Sequence, residues 1–150
     1  MQEIRQIIVP VDFHQHTDTL ADFALHVAGT LDAKVTFIHV LRHLPDDIDY
    51  NPETRKQLEK SFFVHVDKKM AEFVGKMNEK SPGCTGEVVL GEAADAIIAY
   101  AQKKAADLIV ISTHGAQGIK KILLGSVADR VVKGVHCPIL VFNPFKGQRG

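Results

Sequence analysis

Asp107-Leu108-Ile109-Val110-Ile111-Ser112-Thr113-His114-Gly115, followed further on by Gly125-Ser126-Val127, decides how the chain is read. Leu108 to Ile111 is a short apolar run rich in β-branched residues, the pattern of a strand buried on both faces. Small and polar residues come next, with glycines at 115, 118 and 125, and a helical apolar period opens at Ser126. In an α/β fold, the order strand, glycine loop, helix start builds an anion site. Glycine accepts a positive φ and lets backbone approach a ligand closely. The first amides of the next helix lack internal partners and stand at the positive end of its dipole. Ser126 reads as the N-cap of that helix, with Asp129 completing an S-x-x-D pattern. Phosphates are therefore expected over Gly115, Gly125, Ser126 and Val127. The plainer alternative is a capped turn whose glycines serve geometry alone.

Outward from this stretch, strand and helix patterns alternate. A first strand covers Ile4 to Val11, ended by Pro10 and Asp12 because proline cannot donate to a central ladder. A helix from Thr17 to Leu31 carries Leu20, Phe23, Ala24, Val27, Ala28 and Leu31 on one stripe. Lys34 to Leu41 reads as a second buried strand, followed by a polar, mobile connection from Arg42 to Asn51. A long helix spans Pro52 to Lys80, with Leu58, Phe62, Val66, Met70, Phe73 and Met77 turned to the core. Ser81-Pro82-Gly83 breaks it. Glu87 to Leu90 is the third strand and Ala93 to Ala105 the third helix, with Ile97, Ile98 and Ala101 inward. The helix from Ser126 to Val135 turns Val127, Val131 and Val132 inward. Pro138 to Phe142 is the last strand, and residues 144–150 form a frayed tail.

Such alternation predicts a parallel sheet with helices on both faces, doubly wound in the order 3-2-1-4-5. Strands 1 and 4 are then neighbours, and ligands bind in the crevice at their carboxyl ends. Asp12, Val40 and the 112–126 loop converge there.

The chain has 150 residues, one domain's worth, with 18 basic and 18 acidic side chains and no net charge. Balanced charge argues against a nucleic-acid partner, which needs a basic face. No stretch is long and apolar enough for a membrane span, and no signal-peptide pattern opens the chain. Cys84 and Cys137 stand alone without CxxC spacing, as structural thiols of a reducing, cytoplasmic protein.

Ile8-Val9-Pro10-Val11-Asp12-Phe13, Ile38-His39-Val40, Gly91-Glu92-Ala93-Ala94-Asp95-Ala96-Ile97, Leu123-Leu124-Gly125-Ser126-Val127-Ala128 and Cys137-Pro138-Ile139-Leu140-Val141 resemble the universal stress protein family. The likeness, to the UspA-type α/β domain, covers nearly the whole chain. Nucleotide-binding members share a Gly-x2-Gly-x9-Gly-Ser/Thr loop. Here Ser112 stands in place of the first glycine, while Gly115 and Gly125-Ser126 keep the nine-residue gap. The resemblance implies a stress-response regulator binding ATP, ADP or AMP, with or without Mg²⁺. Asp12 would meet the adenosine part, with Val11, Val40 and Ile111 lining the base. His114, Gly115, Gly125, Ser126 and Val127 would take ribose and phosphates. It also implies a homodimer formed partly by Ile139 to Phe142.

No G-x-x-x-x-G-K-[ST] occurs, and no G-x-G-x-x-G follows the first strand, so neither a Walker cradle nor a dinucleotide fingerprint is present. Lys120 and Lys121 are near enough in sequence to reach phosphates or, as usual for helix-edge lysines, to face solvent. Asp12 is the one evident carboxylate for Mg²⁺. No base is positioned for an attacking water, so binding is expected, with slow ATP hydrolysis at most. Two rivals remain. His14 and His16, with His114 and His39 or His43, could form a metal site, since imidazoles suit Zn²⁺, Cu²⁺ or Ni²⁺. A nucleotide-free signalling or scaffold dimer of the same fold would use the exposed edge of the last strand.

Overall fold

The computed structural model describes residues 2–113 and 124–145. Short β-branched runs form five parallel strands: β1 (Gln6–Pro10), β2 (Lys34–Leu41), β3 (Thr85–Leu90), β4 (Leu108–Ser112) and β5 (Ile139–Phe142). Between them lie α1 (Thr17–Leu31), α2 (Pro52–Lys80), α3 (Ala93–Lys103) and α4 (Ser126–Gly134). The sheet order is β3-β2-β1-β4-β5, as the alternation requires.

Strand alternation splits the core in two. Ile7, Val9, Val11, Phe37, Leu108 and Val110 face α1 and α2, meeting Leu20, Ala24, Met70, Phe73 and Met77. Ile8, Ile38, Ile109 and Ile111 face α3 and α4, meeting Ala94, Ile97, Tyr100, Ala128 and Val131. Since β1, β2 and β4 are covered on both sides, they are apolar continuously rather than alternately.

Several boundaries and faces differ from the sequence reading. β1 opens at Gln6, where the Asp107 carboxylate accepts the amides of Arg5 and Gln6 and holds the entry. β3 opens at Thr85, because its pairing with β2 starts at Thr36, whose hydroxyl meets that of Thr85. α3 ends at Lys103, and Ala105 then takes a left-handed φ of 50°. The connection at 42–51 is tied down. Arg55 donates to the carbonyls of Leu44, Pro45 and Ile48, and the Asn51 side chain caps α2.

The apolar stripe of α2 is core only in its second half. Phe62 is 47% exposed. A helix of 29 residues is about 43 Å long, whereas the eight-residue β2 reaches only about 26 Å. Phe13, just past the end of β1, already touches Phe73 and Lys69. Residues of α2 before Lys69 therefore rise above the carboxyl ends of the strands. Leu31 and Val132, both placed inward from the sequence, are 41% exposed. α4 has nine residues, and its buried stripe is only Ala128 and Val131.

Candidate functional site

β1 lies between β2 and β4, with Ile7 beside Leu108 and Ile8 beside Ile109. The chain winds away from this pair in opposite directions, which leaves a crevice at their carboxyl ends. Asp12 comes just past the end of β1 and Thr113 just past the end of β4.

Val11 is buried, and both its polar groups are taken by β2: its amide donates to the Ile38 carbonyl and its carbonyl accepts from His39 Nδ1, both at 2.8 Å. Asp12 is the first residue free of the sheet. Its Oδ1 accepts the His14 amide at 2.9 Å and the Thr17 hydroxyl at 3.3 Å, an Asx-type turn that leads into α1. Oδ2 takes no hydrogen bond from the described residues. Phe13, between them, has a φ of 60°, a left-handed conformation that a bulky side chain rarely adopts.

On the other side of the crevice, the Thr113 amide donates to the Phe142 carbonyl at 2.9 Å, and its carbonyl accepts the Gly125 amide at 3.0 Å. A Cβ on Gly125 would lie 3.1 Å from that carbonyl, so glycine is what permits the approach. Gly125 is the N-cap of α4, and Ser126 its first helical residue, with no side-chain cap. This corrects the expectation of a Ser126 cap: Gly125 is extended and its carbonyl already accepts the Asp129 amide, so the helix opens one residue earlier. The Asp129 carboxylate pairs instead with Lys133. Arg130 fastens α4 to α3 through Glu92 and Asp95. The Glu92 carboxyl is held below its usual range, first by the Asp95 amide it caps.

Of the residues singled out from the sequence, Val40, Ile111 and Val127 come together in the cluster under α3 and α4. Val11 turns to the opposite cluster, so it faces the crevice only through its backbone. Asp12, Gly125 and Ser126 stand at the crevice. His114 and Gly115 lie outside the described residues, as do Gly118, Lys120 and Lys121.

The histidines scatter. His14 is exposed, His16 packs edge-on against Phe145, and His43 lies on the far connection beside Glu59. The His39 ring is turned to the Val11 carbonyl. Among the described residues, no group of three or more His, Cys, Asp or Glu side chains could hold a metal. His26, His65 and His136 are exposed, and both cysteines are unpaired.

Sequence reasoning passed over Thr17, Thr113, Phe13 and the role of His39. Thr17 and Thr113, 6% and 8% exposed, are the buried polar residues among those described; Thr17 bonds Asp12, and Thr113 follows the end of β4. An Asx-turn acceptor at the end of a strand, with a hydroxyl one turn on, was the available signal for Thr17. Nothing in the sequence marked Phe13. Together the site offers a carboxylate acceptor, the opening amides of α4 and apolar walls, which is equipment for holding a ligand.

The model of the universal stress protein family matches residues 3–143. A universal stress protein of Methanocaldococcus jannaschii is 35% identical over 138 residues, covering 91% of this chain and 81% of that one. Among solved structures, universal stress protein UspA from Lactobacillus plantarum has a TM-score of 0.77 at 22% identity, covering 95% of this chain and 99% of that one. An Archaeoglobus fulgidus universal stress protein, solved in complex with dAMP, has a TM-score of 0.64 at 20% identity, over 93% and 98%. One from Arabidopsis thaliana with AMP bound gives 0.62 at 21%, over 93% and 91%. At these identities the structures establish likeness of fold. The match of the family model over nearly the full length and the archaeal relative settle the rest: the chain belongs to the universal stress protein family.

Proposed function

We propose that the protein is a cytosolic, homodimeric stress-response regulator that binds an adenine nucleotide between the carboxyl ends of β1 and β4. The observation that carries this reading is that Asp12, just past the end of β1, and the Thr113–Gly125 closure, just past the end of β4, stand on neighbouring strands of one sheet. Asp12 takes a hydroxyl or amine of the adenosine part through Oδ2. Val40 and Ile111 wall the base. The amides after Gly125 stand at the positive end of α4 and meet the phosphates, with Ser126 and Val127. His114 and Gly115 belong to the same contact set. One carboxylate fits Mg²⁺, which keeps waters and leans on substrate phosphates. Relatives of the same fold solved with dAMP and AMP support the class of ligand. Two unpaired thiols suit a reducing compartment. The reading is of binding rather than turnover.

Titration calorimetry with ATP, ADP and AMP tests it, together with absorbance of any nucleotide released on denaturation. Asp12→Ala is expected to weaken binding about tenfold, the loss of a charge-assisted hydrogen bond. No heat and no released nucleotide for the native protein would reject the proposal. In that case the exposed Leu140 and Val141 of β5 favour the second reading, a nucleotide-free dimeric scaffold.

A further inference from the structure

We propose that His39 is a positioning residue for the nucleotide site, holding from β2 the strained turn that presents Asp12. This rests on the reading of the crevice as a nucleotide site. His39 lies on the α1/α2 face of β2, whereas Val40 lies on the other, so its ring stands behind the crevice rather than in it. One side chain makes two different contacts with one turn. Its Nδ1 sits 2.8 Å from the Val11 carbonyl. Carbonyls only accept, so Nδ1 carries the proton and donates. Its ring lies 4.8 Å from that of Phe13, tilted by 30°.

Phe13 is where the turn is strained, at a φ of 60°. Such a conformation persists only where surrounding groups over-determine it, and such outliers gather at functional sites. Here the determinants are the His39 ring, the edge of Phe73 at 5.7 Å and the Lys69 ammonium 5.2 Å from the ring centre. The strain serves direction. Asp12 immediately precedes Phe13, and its Oδ1 bonds to the His14 amide and the Thr17 hydroxyl depend on the path the chain takes through Phe13. With Oδ1 so engaged, Oδ2 is the oxygen presented. Without the His39 donor, the Val11 carbonyl loses its partner and the Phe13 ring loses a wall, so the turn and its carboxylate are free to move together. A histidine serving the core alone would lower stability and leave the turn as it is.

Three variants and two measurements separate these. His39→Asn places an amide nitrogen near the place of Nδ1 and keeps the donor; His39→Phe keeps a ring against Phe13 and loses the donor. Phe13→Gly accepts the left-handed φ but removes the anchor. ATP titration should show His39→Phe and Phe13→Gly weakened by about tenfold and His39→Asn by less. In an Asp12→Ala background the His39→Phe effect should largely vanish, because its action passes through that carboxylate. Fully additive losses would overturn the inference. The second measurement needs no ligand. Exchange of the His14 amide, followed by NMR in the nucleotide-free protein, should speed up about tenfold in His39→Phe while β4 amides keep their protection. Unchanged His14 exchange overturns the inference whatever the titrations show. Absence of ATP binding by the native protein overturns the proposed function instead, and with it the site that His39 would position.

Discussion

Tyr100 shows how a single residue in this fold sets a pH response. It is a buried residue of α3, and its hydroxyl donates to Glu87 Oε2 at 2.5 Å. Burial, and then the neighbouring carboxylate, push the phenol well above its ordinary range. Below about pH 10, the unfolded value, both states keep the proton and the contribution to stability is fully present. Above it the unfolded chain gives up the proton while the folded chain retains it, so stability falls as pH rises. Urea unfolding between about pH 9.5 and pH 11 should show this decline, and Tyr100→Phe should flatten it. An unchanged slope in the variant would assign the decline to other groups. Single residues were also where the sequence was hardest to read. Asp12 could be placed from Pro10 and the end of the strand. Gly125 could not be told from Ser126 as the cap, because both residues are good caps and only the backbone angles decide. The sequence leaves His39, as an alternative to His43, among the histidines that could meet at a metal, because it does not show which way a ring turns.

Among the elements, α2 and β3 meet with little room to spare at Gly86. A Cβ on Gly86 would lie 2.5 Å from Val74 Cγ2 and within 2.9 Å of two atoms of Met70. Met70 is 2% exposed and has little room to yield. Gly86→Ala is expected to cost about 1–3 kcal/mol by overpacking, read as a lower urea midpoint at unchanged slope. Gly75→Ala, on the same helix but with open space around it, should not destabilise. Element types and order followed from periodicity, because the hydrophobic period changes cleanly between strands and helices. The bounds of α1, β2 and α2 matched for the same reason. Ends set by tertiary partners did not: β3 begins where its neighbour lets it. Nor does a period say how far a helix outruns its sheet, which is why Phe62 was assigned to the core.

At the scale of the whole molecule, the sheet ends at β5. Pro138 and Phe142 accept from β4, so the intervening Ile139 and Val141 point their backbone groups to the open edge. Leu140 and Val141 are 38% and 43% exposed there. Pairing of two such edges is the dimer proposed above. Val141→Pro removes an outward amide without taking one from the β4–β5 ladder. Light scattering at micromolar concentration should therefore find the native protein dimeric and the variant shifted toward monomer. A native monomer would reject the dimer. Topology was legible because right-handed crossovers and buried parallel strands leave few arrangements for five strands joined by four helices. The crevice followed from that topology.

Thr113 and Gly125 join the end of β4 to the start of α4 directly. The chain leaves the sheet at one residue and returns to a hydrogen bond on that same residue, like a handle with both roots in one spot. For a span tethered in this way, closure entropy grows only as the logarithm of length, roughly 0.6 kcal/mol for each doubling. The bond from the Gly125 amide to the Thr113 carbonyl pins the start of α4 to the end of β4 whatever length of chain joins them, so a change in that length is expected to cost the five strands little.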